Sequence, residues 1–163
     1  MPKSFQVDAD TLEREYKKLQ TEYHPDKFTD ASDSERVQAL QHASLINDAY
    51  DTLKSPLKRA AYLLRLENID PEEHNQNHLQ ESFLLQQLEL REELESLKAQ
   101  KDLDGLEKMK VSAISDKEKA LQKFEICYLA SKLIEAKSLY NGLQFLFKLV
   151  DEIEAAEEKL LDY

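Results

Sequence analysis

The sequence predicts an all-α protein built as two helical lobes, and three observations carry that prediction. The 163 residues are rich in Leu, Glu, Lys, Gln and Ala, which lose little conformational freedom on entering a helix. Only 2 Gly and 4 Pro are present, too few for a chain of many tight turns and short strands. Apolar side chains recur at intervals of three and four residues, the period of one helix face.

Taken in order, the first helix signal begins at Asp10, whose carboxylate can cap free amides while Glu13 closes a capping-box pair three residues on. Leu12, Tyr16, Leu19 and Tyr23 then line one face, and Arg14, Lys17 and Lys18 fall on others. Pro25 ends this helix, because the residue before a proline is disfavoured in helical geometry. His24 to Ser32 reads as an exposed polar loop. A second helix is expected from Ser32–Ser34 to about Leu53, with Leu40, Ala43, Ile46, Tyr50 and Leu53 on its inner face, antiparallel to the first. Ser55 as cap and Pro56 in the first turn open a third helix reaching residue 67.

Residues 68–78 are polar and contain Asp70-Pro71, which predicts a linker between a first domain, 1–67, and a second, 79–163. In the second, three helices of about 80–101, 104–130 and 132–161 should form an antiparallel bundle, with Gly105 between Asp102 and Asp104 at the first corner. Gly142 falls inside the last helix, where glycine costs about 1 kcal/mol relative to alanine. Either another helix crosses closely there or the helix boundary lies elsewhere.

The net charge of −11 argues against nucleic acid as a partner, since binding phosphates needs clustered Lys and Arg. Residues 1–67 carry −2 and residues 68–163 carry −9, so the acid lies in the second domain. A single cysteine, Cys127, cannot form an internal disulfide or a cysteine-based cluster site, which fits a reducing compartment and predicts a cytoplasmic protein with no cofactor. No run of about 18 apolar residues predicts a membrane span.

An enzyme would need converging titratable groups, and the four histidines supply none. His42 reads as a surface or helix-packing residue. His74 and His78 are spaced like metal ligands but have no third ligand, and Asn75 stands where metalloprotease chemistry needs a glutamate. No metal site is expected.

The chemistry that does stand out is His24-Pro25-Asp26 between two helices that can fold back on one another, which puts an imidazole and a carboxylate at the tip of a hairpin. Tyr23-His24-Pro25-Asp26-Lys27-Phe28, followed by Ile46-Asn47, Tyr50, Pro56, Arg59-Ala60 and Tyr62-Leu63-Leu64, resembles the J-domain over residues 5–66. Phe83-Leu84-Leu85, Leu88 to Leu94 and the closing Glu158 to Tyr163 resemble the specialised J-proteins of the HscB family. Together the two matches span nearly the whole chain.

That resemblance implies a co-chaperone without catalysis of its own, whose partners are a DnaK-like chaperone of HscA type and the iron–sulfur scaffold protein of IscU type. It assigns His24, Pro25 and Asp26 to chaperone activation, with Arg14, Lys17, Lys18 and Lys27 on the chaperone-binding side. It assigns Leu84, Leu85, Leu88, Glu89, Glu92 and Phe145 to the scaffold. Spacing alone allows an apolar face edged by acid at 84, 85, 88, 89 and 92, and equally allows those leucines to be core. Ser96 stands where the family often has a further acid, so the acidic rim should be shorter. J-domains usually open with an aromatic-rich helix. The chain begins near where that helix ends, so the first helix is expected to be missing and Tyr16, Leu19, Ile46 and Tyr50 to lose apolar cover. The alternative is an acidic helical-bundle interaction protein with no chaperone link, in which the tripeptide is incidental.

Overall fold

The computed structural model describes residues 4–72 and 81–161, and among these every regular element is helical. In order they are α1 (Ala9–Glu22), a 3-10 turn (Pro25–Phe28), α2 (Asp33–Lys54), α3 (Pro56–Leu66), α4 (Glu81–Gln100), α5 (Leu103–Leu129) and α6 (Leu133–Leu161). The chain divides into two compact units, Met1–Leu63 and Leu64–Tyr163, so the division falls within α3. Part of the expected linker, residues 73–78, lies outside the described residues.

In the first unit, residues 4–8 carry no helix and α1 is the first described one. Its cap is Asp8, not Asp10: Asp8 keeps extended backbone geometry and its carboxylate accepts from the Thr11 hydroxyl. Asp10 sits inside the first turn, where its charge suits the positive helix end, and Glu13 pairs instead with Lys17 at 2.7 Å. At α2 the expected cap is present. Ser32 accepts from the Glu35 amide at 3.4 Å while Glu35 accepts from the Ser32 amide at 2.9 Å, a reciprocal capping box.

The inner stripe of α2 is Ala39, Ala43, Ile46, Tyr50 and Leu53, with Ala39 fully buried. Leu40, expected on that stripe, lies off it and is exposed, because Ala39 is the residue that keeps the four-and-three register with Ala43 and Ile46. Tyr16, Leu19, Ile46 and Tyr50 are all at least partly open to solvent. Two of them shield each other: the Tyr16 and Tyr50 rings stack 3.9 Å apart, and the Tyr16 hydroxyl donates to Asn47 Oδ1 at 3.0 Å. On α3, the Arg59 guanidinium donates to the Leu53 carbonyl and lies 5.4 Å over the buried Phe5 ring.

In the second unit an apolar core is built from α4, α5 and α6. α4 contributes Leu94 with Leu90 and Leu97, α5 contributes Leu106, Met109 and Ala113, and α6 contributes Phe145, Leu149, Val150, Ile153 and Ala156. Lys110 on α5 donates to the Glu157 carboxylate on α6, pinning the same pair of helices. Residues after α3 are held by phenols, Tyr128 donating to Glu67 at 3.2 Å and Tyr140 to Glu72 at 3.3 Å.

The corner between α4 and α5 is made by Lys101, at φ 54°, rather than by Gly105. Gly105 lies in the first turn of α5, where its amide donates to the capping Asp102 carboxylate at 3.0 Å. It is there for space, since a Cβ would sit 2.4 Å from Leu97 Cδ2 and 2.7 Å from Asp102 Oδ2. Gly142 leaves α6 uninterrupted, and the Phe83 ring of α4 passes it 3.6 Å from where a Cβ would be. The crossing helix is real, and its contact is of ordinary van der Waals length.

Candidate functional site

At the tip of the α1–α2 hairpin, the Pro25 ring fixes one backbone torsion and opens the short 3-10 turn, for which His24 is the cap. His24 Nδ1 accepts from the Asp26 amide at 3.3 Å. The same Nδ1 lies 3.6 Å from the Asp26 carboxylate. Both side chains are open to solvent, His24 by 52% and Asp26 by 87%. The bend therefore presents both an imidazole and a carboxylate to solvent.

Beside the tip, Arg14, Lys17, Lys18 and Lys27 are all exposed. Arg14, Lys17 and Lys18 sit three and four residues apart and so share one side of α1. Lys17 is partly neutralised by Glu13, whose hydrogen bond also raises the ammonium above its ordinary pKa, and Arg14 is steadied by the Thr11 hydroxyl at 3.2 Å. His42, read from sequence as a surface or packing residue, is exposed and meets the edge of Tyr23 at 5.0 Å.

On α4, five of the six residues assigned to scaffold binding come together. Leu84, Leu85 and Leu88 are 49%, 54% and 54% exposed, and Glu89 and Glu92 border them in solvent. Core packing is done by the neighbouring stripe, Phe83, Gln87, Leu90, Leu94 and Leu97, each partly or wholly buried. Phe145 does not join the exposed face: it belongs to the buried core of the unit. Arg91, which the sequence reading passed over, stacks over its ring at 5.6 Å and reaches Glu152 at 3.5 Å. Its position three residues after Leu88 was the available signal.

Among the described residues no three His, Cys, Asp or Glu side chains are grouped to hold a metal, and His74 and His78 lie outside them. No described helix is long and apolar enough to cross a membrane.

A helical hairpin displaying His-Pro-Asp at its bend defines the class, that of J-domain proteins, and residues 4–62 match the family model described as DnaJ domain. Residues 79–154 match a second, described as HSCB C-terminal oligomerisation domain. A co-chaperone protein HscB homolog of Vibrio cholerae is 38% identical over 99% of this chain and 95% of its own length. The co-chaperone protein HscB of Proteus mirabilis is likewise 38% identical, over 99% of this chain and 94% of its own. Among solved structures, chaperone HscB from Vibrio cholerae superposes with TM-score 0.88 at 37% identity, covering 98% of this chain and 94% of the other. Human co-chaperone protein HscB gives 0.87 at 26% identity, over 94% and 76%. The chain belongs to the HscB family of J-domain co-chaperones. Its partner is accordingly a DnaK-type chaperone, and the reading as an acidic bundle with no chaperone link is set aside.

Proposed function

We propose that this co-chaperone stimulates ATP hydrolysis by an HscA-type chaperone through His24, Pro25 and Asp26 while carrying an IscU-type scaffold protein on the leucine face of α4. The observation that carries the first half is the exposure of His24 and Asp26 at a bend already ordered by the Asp26 amide bond and by Pro25. Little backbone freedom is left to lose on docking, and a contact made better with the hydrolysing conformation shifts the chaperone toward it. Arg14, Lys17, Lys18 and Lys27 would steer the tip onto an acidic chaperone surface, over a range of about 8 Å at physiological ionic strength.

The second half is supported by three half-exposed leucines in one patch, since a surface helix normally turns such residues inward. Their acidic border at Glu89 and Glu92 favours a scaffold surface with cations around an apolar centre. The iron–sulfur cluster is cargo on that scaffold, and no role for it is assigned to this chain. Domain limits of 1–67, 68–78 and 79–163 go with this reading, the first unit acting on the chaperone and the second on the scaffold.

The experiment is steady-state ATPase turnover of an HscA-type chaperone with and without this protein and an IscU-type scaffold. Wild type should accelerate turnover and His24→Gln should abolish the effect while melting at an unchanged temperature, the substituted ring being exposed and bonded only within its own bend. No acceleration by wild type would remove the proposal. For the scaffold, Leu88→Ala should weaken binding about tenfold, as expected for deleting a leucine from an apolar contact.

A further inference from the structure

Phe145 poses a problem for the scaffold reading. The residue is only 9% exposed and belongs to the buried core with Leu94 and Leu149, so it has little area to offer a partner. The group on its ring face is the guanidinium of Arg91, 5.6 Å from the ring centroid, with Nη1 3.5 Å from Glu152 Oε2. Glu152 is itself held by Lys148, 3.9 Å away on the next turn of α6. Arg91 follows Leu84 by seven residues and Leu88 by three, which puts it on the same stripe of α4 as those two leucines. Its side chain remains 45% exposed.

We propose that Arg91 is a partner-contacting residue of the scaffold-binding face, and that Phe145 is the positioning residue that acts through it. The inference rests on the scaffold reading above and deepens it. An aromatic face and a carboxylate, both on α6, hold the guanidinium in place beside Leu88, so a long side chain that would otherwise sweep through water is ordered before the partner arrives. The fork of donors not used by Glu152 then faces outward and suits a carbonyl or carboxylate at the edge of the scaffold's apolar contact. A cation on one side of Leu88, with the acids Glu89 and Glu92 on the other, also gives the face a sign pattern, which selects partners more sharply than an apolar patch alone.

A double-mutant cycle on affinity for a purified IscU-type scaffold tests this, with helical circular dichroism and melting temperature recorded for every variant. Arg91→Ala and Phe145→Leu should each weaken binding about tenfold, and the double variant should be no weaker than either single one. Phe145→Tyr, which keeps the ring face, should bind like wild type. Glu152→Gln, which loosens Arg91 without touching the core, should weaken binding and should be non-additive with Arg91→Ala, a check that survives if Phe145→Leu proves less stable. If Leu88→Ala weakens binding and Arg91→Ala does not, this inference fails while the scaffold reading stands. If the losses of Arg91→Ala and Phe145→Leu multiply, Phe145 acts on its own and the inference fails again. Leu88→Ala without effect would end both.

Discussion

The two glycines show how one residue type serves opposite physical needs. Gly105 is required by crowding: a Cβ there would press on Leu97 and on the Asp102 carboxylate that caps α5, so either the core or the cap must shift. Gly105→Ala should therefore destabilise by about 1–2 kcal/mol despite alanine's better helix propensity, measured by urea denaturation. Gly142 meets only ordinary contact, 3.6 Å from the Phe83 ring. Gly142→Ala should stabilise by up to about 1 kcal/mol in the same assay, because the helix loses the entropy penalty and gains a methyl contact. At the bend, by contrast, His24 owes its position to an amide and a proline two residues or fewer away, which is why the tripeptide could be placed at an exposed tip from sequence.

Helix ends account for the scarcity of glycine. α3, α4 and α5 each end in a left-handed residue that is not glycine: Asn68 at φ 60°, Lys101 at 54° and Ser131 at 58°. In each case the following amide bonds the carbonyl five residues back, Ile69 to Leu64 at 3.0 Å, Asp102 to Leu97 at 3.1 Å and Lys132 to Cys127 at 2.9 Å, so orphaned carbonyls are satisfied. The backbone strain of such a residue is about 1 kcal/mol. Ser131→Gly should recover about 0.5–1 kcal/mol, read as a higher denaturation midpoint with unchanged helical content. At the other end of the element, Ser32→Ala should lose about 1 kcal/mol by opening the capping box of α2. The caps of α2 and α3 were legible because they are written within four residues. Asp8 was missed because Asp10 offered the same chemistry two positions on, and only the backbone conformation distinguishes them.

For the molecule as a whole, the buried phenols set a limit at high pH. Tyr140 is held above the usual phenol pKa of about 10, first by burial and then by the Glu72 carboxylate, and Tyr128 by burial and then by its bond to Glu67. The folded chain thus keeps protons that the unfolded chain releases, so their stabilisation is present below about pH 10 and lost as pH rises through the raised folded values. The raised Lys110, bonded to Glu157, acts in the same direction. A Tyr128→Phe, Tyr140→Phe variant should lose stability less steeply than wild type between about pH 10 and 12, followed by chemical denaturation. Charge also works locally rather than in sum. The chain carries −11, yet Arg14, Lys17 and Lys18 are grouped on α1, so chaperone stimulation should need more co-chaperone as salt is raised even though the net charge would predict repulsion from an acidic surface.

By itself the sequence determined the local things: an all-helical chain, the serine caps and the proline-fixed bend, because propensity, capping and turn chemistry act over a few residues. Tertiary structure decided which apolar face is core. α4 carries two candidate stripes, and periodicity marks a face as apolar without saying what lies opposite it. Packing against α5 and α6 buries Leu90, Leu94 and Leu97 and leaves Leu84, Leu85 and Leu88 outside. The same packing takes Phe145 inward beneath Arg91, since burial depends on residues far away in the chain that only the folded molecule brings near.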